Sequence, residues 1–144
     1  MNIAIIVAEF NGEITSKMLD LAIEKAKILN LNIKYVCKVP GVFDMPLLID
    51  TLLQKKNINA VVTLGAVIKG QTKHDELISH VTAKSIAELS IKHQKPVTLG
   101  ITGPGMSDRQ AHQRIRPVAQ RAVEAVKKLS EEMEKIKNDS TNHN

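Results

Sequence analysis

Four short apolar runs, rich in valine and isoleucine, alternate with four amphipathic segments along this 144-residue chain. The first and third runs lack polar residues in alternation, which is typical of parallel strands buried on both faces. Right-handed helical crossovers between such strands place helices on both sides of the sheet. We therefore predict an α/β fold, a three-layer sandwich around a four-stranded parallel sheet, with strands at Ile3 to Ala8, Ile33 to Val39, Ala60 to Gly65 and Val97 to Thr102.

The amphipathic segments supply the covering helices. Apolar residues recur at helical spacing between Ile14 and Leu29 and between Met45 and Leu53. Pro46 would lie in a first helical turn, where proline is tolerated. A third helix is expected from about Lys73 to His93.

The last helix is predicted to start at Ser107, because Gln110 three residues later completes a capping-box pattern. Its apolar stripe continues to Ile136, further than a four-stranded sheet can cover. We therefore expect this stripe to contact a neighbouring subunit. Residues 1–137 would form a single domain, and the polar segment 138–144 is predicted to be a disordered tail.

Composition limits the kinds of partner. The net charge is +5, but the basic residues are scattered and the only aromatic residues are Phe10, Tyr35 and Phe43, so nucleic acid is not expected. The single cysteine, Cys37, excludes an internal disulfide and favours a buried, inert thiol in a reducing cytoplasm. No leader and no apolar run of membrane-spanning length is recognised, so we expect neither export nor a membrane partner.

The loops that follow parallel strands share one edge of the sheet, where ligands bind. After the third run, Thr72 and Asp75 resemble a capping box that starts a helix. The backbone N–H groups of Gly70, Gln71 and Thr72 would then face outward and could hold an anion. Imidazole is a common proton-transfer group, so His74 could act there as a general acid or base.

Other loop residues at this edge each have two interpretations. Asn11 could cap the first helix and Asp44 could favour the positive end of the second, or both could bind a ligand. Phe10 and Phe43 could form buried staples or present stacking faces for a planar ring. Arg114 could be a solvated helix residue or could meet an anion across an interface. We assign no metal site, because ligand spacing is lacking among His74, His80, His93 and His112.

Together these loops resemble the lumazine synthase family, of the short archaeal type. The resemblance implies a flavodoxin-like topology and spans nearly the whole chain. It rests on Phe10-Asn11, on Pro40-Gly41-Val42-Phe43-Asp44-Met45-Pro46, on Gly65-Ala66-Val67-Ile68-Lys69-Gly70 with Thr72 and His74, and on Pro96-Val97-Thr98-Leu99-Gly100.

The resemblance implies a transferase that acts at the penultimate step of riboflavin biosynthesis. It would condense 5-amino-6-ribitylaminouracil with 3,4-dihydroxy-2-butanone 4-phosphate and release phosphate and water. No cofactor is implied, because the amine substrate supplies the nucleophile and the enzyme mainly orients two reactants. Riboflavin synthase is implied as a candidate partner.

Residue roles are implied in the same way. Phe10 would stack on the pyrimidine, and Asn11 and Asp44 would hold the ribityl hydroxyls. The turn Gly70-Gln71-Thr72 would hold the phosphate, and His74 would move protons during Schiff-base formation and phosphate loss. Backbone groups that would line the ring and chain belong to Val42, Phe43, Val67 and Ile68.

The family site is shared between subunits of a homopentamer, so Leu99 and Arg114 would come from the adjacent subunit, with the arginine on the phosphate. Asp44 stands where the family often has glutamate, and Leu99 where many members have an aromatic residue. After Arg114 the chain reads Ile115-Arg116-Pro117-Val118, unlike the lysine- and glycine-containing turn of capsid-forming members. Assembly beyond the pentamer is therefore left open.

Two other classes share the alternating pattern. A receiver-like signalling domain would need an aspartate at the end of the third strand, where this chain has Gly65. A flavodoxin-like flavin carrier would need a hydroxyl-rich loop after the first strand, where the chain reads Glu9-Phe10-Asn11-Gly12-Glu13. A structural shell protein is favoured only by the long last helix.

Overall fold

Four parallel strands form one sheet, as predicted, and their order is β2-β1-β3-β4. The computed structural model describes residues 1–71 and 73–139. The strands are β1 (Asn2–Ala8), β2 (Asn32–Val39), β3 (Ala60–Ile68) and β4 (Val97–Met106). The helices are α1 (Gly12–Ile28), α2 (Met45–Leu53), α3 (Asp75–His93), α4 (Asp108–Gln113) and α5 (Ile115–Asp139), and a short 3₁₀ turn spans Val42–Asp44.

The core is divided between the two faces of the sheet, because successive strand residues point in opposite directions. Ile3 and Ile5 of β1 face the layer formed by α1 and α5, whereas Ala4 and Ile6 face the layer formed by α2 and α3. All nine residues of β3 are buried. The predominantly apolar character of β1 and β3 is thus explained by helices on both faces.

The carboxyl ends of β3 and β4 differ from the prediction. β3 does not end at Gly65 but continues to Ile68, and β4 continues from Thr102 to Met106. The two extensions pair with each other: Ile68 lies opposite Met106, after an irregularity in the register beyond Ala66. The pairing of these two strands therefore continues past Gly65, the predicted end of the third strand.

The start of α3 also differs. α3 begins at Asp75, two residues later than predicted, and His74 occupies the N-cap position without a side-chain cap bond. The predicted capping residue, Thr72, lies outside the described residues. By contrast, the capping box at Ser107 is confirmed: its hydroxyl accepts from the Gln110 N–H at 3.1 Å, and the Gln110 Oε1 accepts from the Ser107 N–H at 2.9 Å.

The predicted last helix is divided at Arg114 into α4 and α5. Pro117 explains the break, because proline has no N–H to donate and its ring clashes with the carbonyl four residues earlier, here that of Gln113. The chain resumes a helical ladder at once, since the Val118 N–H donates to the Arg114 carbonyl at 3.0 Å. One long predicted helix is therefore two helices that meet at a candidate site residue.

The distal half of α5 leaves the sheet. Val126 is fully buried, whereas Leu129 and Ile136 further along the same stripe are exposed. α5 continues to Asp139, so the first two residues of the predicted disordered tail are helical, and residues 140–144 lie outside the described part. None of the described helices has the length and apolarity needed to cross a membrane.

Candidate functional site

A small cavity of about 130 Å³ lies at the carboxyl ends of β1 and β3. Several predicted site residues line it. Phe10 and Phe43 are 57% and 62% exposed, so these two aromatic residues are not buried staples. Each presents a ring at the cavity that could stack on a planar ligand. The lining residues are Ala8, Phe10, Gly41, Val42, Phe43, Ala66, Val67, Ile68, Gln71 and Ile78.

Asn11 occupies the N-cap position of α1, but its side chain does not cap the helix. The residue adopts a left-handed conformation with φ 63°, which asparagine tolerates better than most residues. Its Nδ2 donates to the Ala66 carbonyl at 2.8 Å and to the Gln71 Oε1 at 3.1 Å. In return, the Gln71 Nε2 donates to the Asn11 Oδ1 at 3.1 Å. Asn11 therefore joins the loop after β1 to the end of β3 and the turn beyond it.

Asp44 makes a local contact. Its Oδ2 accepts from the Gly41 N–H at 3.0 Å and closes the 3₁₀ turn that carries Val42 and Phe43. Asp44 is exposed and does not line the cavity. The Asp44 carboxylate thus stabilises the conformation of this loop. Any ligand that Asp44 binds would be held in addition to the hydrogen bond with Gly41. Pro46 lies in the first turn of α2, as predicted.

The turn after β3 is tight. Gly70 has φ 83°, a conformation that favours glycine, and a side chain there would meet nothing within 4 Å. The Gln71 N–H donates to the Ile68 carbonyl across 3.4 Å, so this group is not an unpaired member of the predicted anion cradle. His74 follows the turn, and its carbonyl accepts from the Ile78 N–H at 2.8 Å.

Leu99 and Arg114 are not brought to this cavity. They line a second pocket of about 290 Å³ beside the edge strand β4, and the two pockets share no lining residue. Arg121 lines the second pocket as well and was missed by sequence reasoning. Its spacing of seven residues from Arg114, two helical turns, is the signal that could have identified it.

Polar groups elsewhere have structural explanations. His93 lies 2.7 Å from the Asp50 carboxylate and ties the end of α3 to α2. This hydrogen bond lowers the pKa of Asp50, with help from the charge of Lys92 and a bond from Gln54. Cys37 is half-buried and not fully buried as predicted, and this partial burial raises the pKa of its thiol, which disfavours the reactive thiolate. Within residues 1–71 and 73–139, no three His, Cys, Asp or Glu side chains cluster as metal ligands.

A larger pocket of about 590 Å³ lies at the amino ends of the strands, opposite the candidate cavity. It is lined by the distal part of α5 and by the residues that directly precede the four strands, Met1, Leu31, Asn59 and Pro96. Ligands of open α/β sheets bind at the carboxyl ends of the strands. We therefore place the candidate site at the smaller cavity.

Comparison with known proteins identifies the family. The family model described as 6,7-dimethyl-8-ribityllumazine synthase matches residues 1–137. A protein of Saccharolobus islandicus curated under that name is 55% identical over 136 residues, covering 94% of this chain and 88% of the relative. A protein of the same name from Pyrobaculum arsenaticum is 50% identical over 130 residues, covering 90% and 87%.

A third relative, from Metallosphaera sedula and again curated as 6,7-dimethyl-8-ribityllumazine synthase, is 47% identical over 144 residues, covering 100% of this chain and 95% of its own. The match therefore extends through every strand and helix described above. This chain belongs to the 6,7-dimethyl-8-ribityllumazine synthase family.

Proposed function

We propose that this chain condenses 5-amino-6-ribitylaminouracil with 3,4-dihydroxy-2-butanone 4-phosphate to form 6,7-dimethyl-8-ribityllumazine, in an active site shared between neighbouring subunits. One observation carries the proposal: the exposed rings of Phe10 and Phe43 give the cavity an aromatic surface, and Gln71, which directly follows the turn at Gly70, gives it a polar one. A planar pyrimidine and a polar, phosphorylated carbon chain match these two surfaces.

The pyrimidine half of the pocket would use the ring of Phe10 as a stacking face. An offset ring stack contributes about 0.5–1.5 kcal/mol beyond the area that it buries. Backbone groups of the 3₁₀ turn and of the end of β3 would border the ring, at Val42, Phe43, Val67 and Ile68. Asp44 would receive ribityl hydroxyls with the part of its carboxylate that Gly41 does not use.

The phosphate half would use the turn from Gly70 to Thr72, with His74 next to it in sequence. The substrate amine attacks the ketone carbonyl, and loss of water then forms the Schiff base. Elimination of phosphate follows, and attack of the ribitylamino nitrogen on the remaining carbonyl, with loss of a second water, closes the ring. Each of these steps moves a proton, and imidazole transfers protons well near neutral pH. His74 is the proposed carrier, and the residues need only orient two reactants that bring their own nucleophile and leaving group.

The small size of the cavity supports a shared site. Ligand pockets usually enclose roughly 300–1,000 Å³, more than twice the 130 Å³ that this chain forms by itself. Leu99 and Arg114 could complete the cavity of a neighbouring chain from their separate pocket. Apolar side chains available for such contacts include Leu77 of α3, 60% exposed, and Leu99 of β4, 52% exposed. We propose a homopentamer as the unit of assembly.

The test of the proposed function is product formation. Purified protein mixed with both substrates should give the absorbance of the lumazine, and light scattering should give a mass of five chains or a multiple. A flavin carrier would bind flavin without forming product, and a shell protein would assemble without turnover. An active monomer at micromolar concentration would contradict the shared site while leaving the reaction intact.

Two further expectations remain proposals. A cytoplasmic location is supported by the single unpaired Cys37. Transfer of the product to riboflavin synthase is supported only by family membership, and co-purification of the two proteins would test it.

A further inference from the structure

The amide side chains of Asn11 and Gln71 form a reciprocal pair at the wall of the candidate cavity. Both hydrogens of the Asn11 Nδ2 are engaged, one by the Ala66 carbonyl at 2.8 Å and one by the Gln71 Oε1 at 3.1 Å. The Gln71 Nε2 uses one hydrogen on the Asn11 Oδ1, at 3.1 Å. An amide nitrogen has two hydrogens and an amide oxygen has two acceptor positions. Among partners within residues 1–71 and 73–139, Gln71 therefore keeps one donor and one acceptor position open.

The two residues differ in their relation to the cavity. Gln71 lines it, whereas Asn11 does not. The Asn11 side chain donates a hydrogen bond to the Ala66 carbonyl and is also hydrogen-bonded to the amide of Gln71. Asn11 thus reaches the cavity through Gln71, whose own side chain is exposed and would otherwise choose among many rotamers.

We propose that the side chain of Gln71 is the group that contacts the hydroxyl-bearing chain of the pyrimidine substrate, and that Asn11 is a positioning residue that acts through Gln71. The inference rests on the proposed function and deepens it. A hydroxyl both donates and accepts, so it matches an amide that offers one donor and one acceptor. A phosphate dianion only accepts, so it would leave the Gln71 Oε1 unpaired, and a polyol is the better match.

A double-mutant cycle tests this assignment. Asn11→Gly is the suitable substitution, because glycine accepts the φ of 63° and removes only the side chain. The pyrimidine substrate alone is titrated calorimetrically into the wild type, Asn11→Gly, Gln71→Ala and the double variant. Gln71→Ala should weaken binding about tenfold, the expected loss for one or two neutral hydrogen bonds. Asn11→Gly should weaken it less, and the double variant should bind like Gln71→Ala.

Losses that multiply in the double variant would show that Asn11 contacts the substrate directly and would overturn the proposal. Unchanged binding by Gln71→Ala would overturn it as well. A 5-amino-6-alkylaminouracil that lacks the hydroxyls should bind the wild type and Gln71→Ala equally. The KM for the butanone phosphate should also stay the same, because the backbone of the turn is retained.

Gln54→Ala is the matched control, because this glutamine lies at the end of α2 and lines none of the cavity. It should bind both pyrimidines like the wild type. If the wild type itself neither binds the ribityl pyrimidine nor forms product, the proposed function fails. If the wild type does both and only the Gln71 effect is missing, the failure is confined to this inference.

Discussion

Gly65 offers a sharp test of how the sheet and the cavity are connected. A Cβ built on Gly65 would lie 2.5 Å from the Cγ1 of Val42, 3.5 Å from the Cε of Met45 and 3.6 Å from the Cγ1 of Ile101. Val42 is buried and lines the cavity. The substitution Gly65→Ala therefore pushes one methyl group against the loop that forms the cavity wall.

The size of the destabilisation follows from the steric overlap between the added methyl group and Val42. Carbon atoms pack best about 3.5–4.0 Å apart, so Val42 must retreat by about 1 Å or more. Overpacking of this kind lowers the free energy of unfolding by about 1–3 kcal/mol. Replacing glycine also restricts the unfolded chain, which raises the free energy of unfolding by about 0.4–1 kcal/mol. We expect Gly65→Ala to be destabilised by about 1–2 kcal/mol. Because Val42 moves, the KM for the pyrimidine substrate should rise.

The measurement is urea unfolding together with steady-state kinetics, with all proteins at one concentration because the proposed assembly would contribute to apparent stability. Gly12→Ala is the matched control: it makes the same chemical change in the first turn of α1, where an added Cβ meets nothing within 4 Å. It should be neutral or stabilised by about 0.4–1 kcal/mol. A Gly65→Ala protein with wild-type stability and wild-type KM would refute the packing reasoning.

Four further outcomes are expected. His74→Ala should slow turnover by about 10²-fold or more without abolishing it, since orientation of the reactants remains, and an unchanged pH–rate profile would exclude His74 from the mechanism. Arg114→Ala should raise the KM of the butanone phosphate only, and mixing it with His74→Ala should restore part of the activity. Without recovery after verified subunit exchange, the two residues belong to one subunit's site. Asp44→Ala should weaken the pyrimidine substrate by about 1–3 kcal/mol, and an effect confined to the phosphorylated substrate would reverse the assignment of the two halves. Folding lowers the pKa of Asp50, chiefly because of the hydrogen bond with His93. Ionised Asp50 therefore stabilises the folded state above the unfolded pKa of about 3.9, and this stabilisation is lost as the pH falls through the folded pKa. Asp50→Asn should therefore melt below the wild type at pH 7, with the gap narrowing below about pH 4, and a gap that does not change with pH would contradict this.

The sequence by itself determined the elements whose signals are local or periodic. Unbroken apolar runs predicted strands with two covered faces, and the spacing from Ser107 to Gln110 predicted a capping box that the structure contains. The edge of the sheet that carries the candidate cavity followed from parallel topology alone. The resemblance of the loops predicted the family that the comparisons identify.

Only the tertiary structure decided what the glycines and the polar loop residues contact. Gly65 resembled a strand end, yet it lies within β3 and gives Val42 room to pack, because a missing side chain serves close approach as well as turning. Asn11 resembled a helix cap, yet its amide bonds residues 55 and 60 positions away. A local pattern contains no information on which distant group competes for the same hydrogen bond. The family resemblance, and no local pattern, implied that Arg114 and Phe10 lie apart within one chain, and the residues that share a pocket with each depend on how distant strands and helices pack.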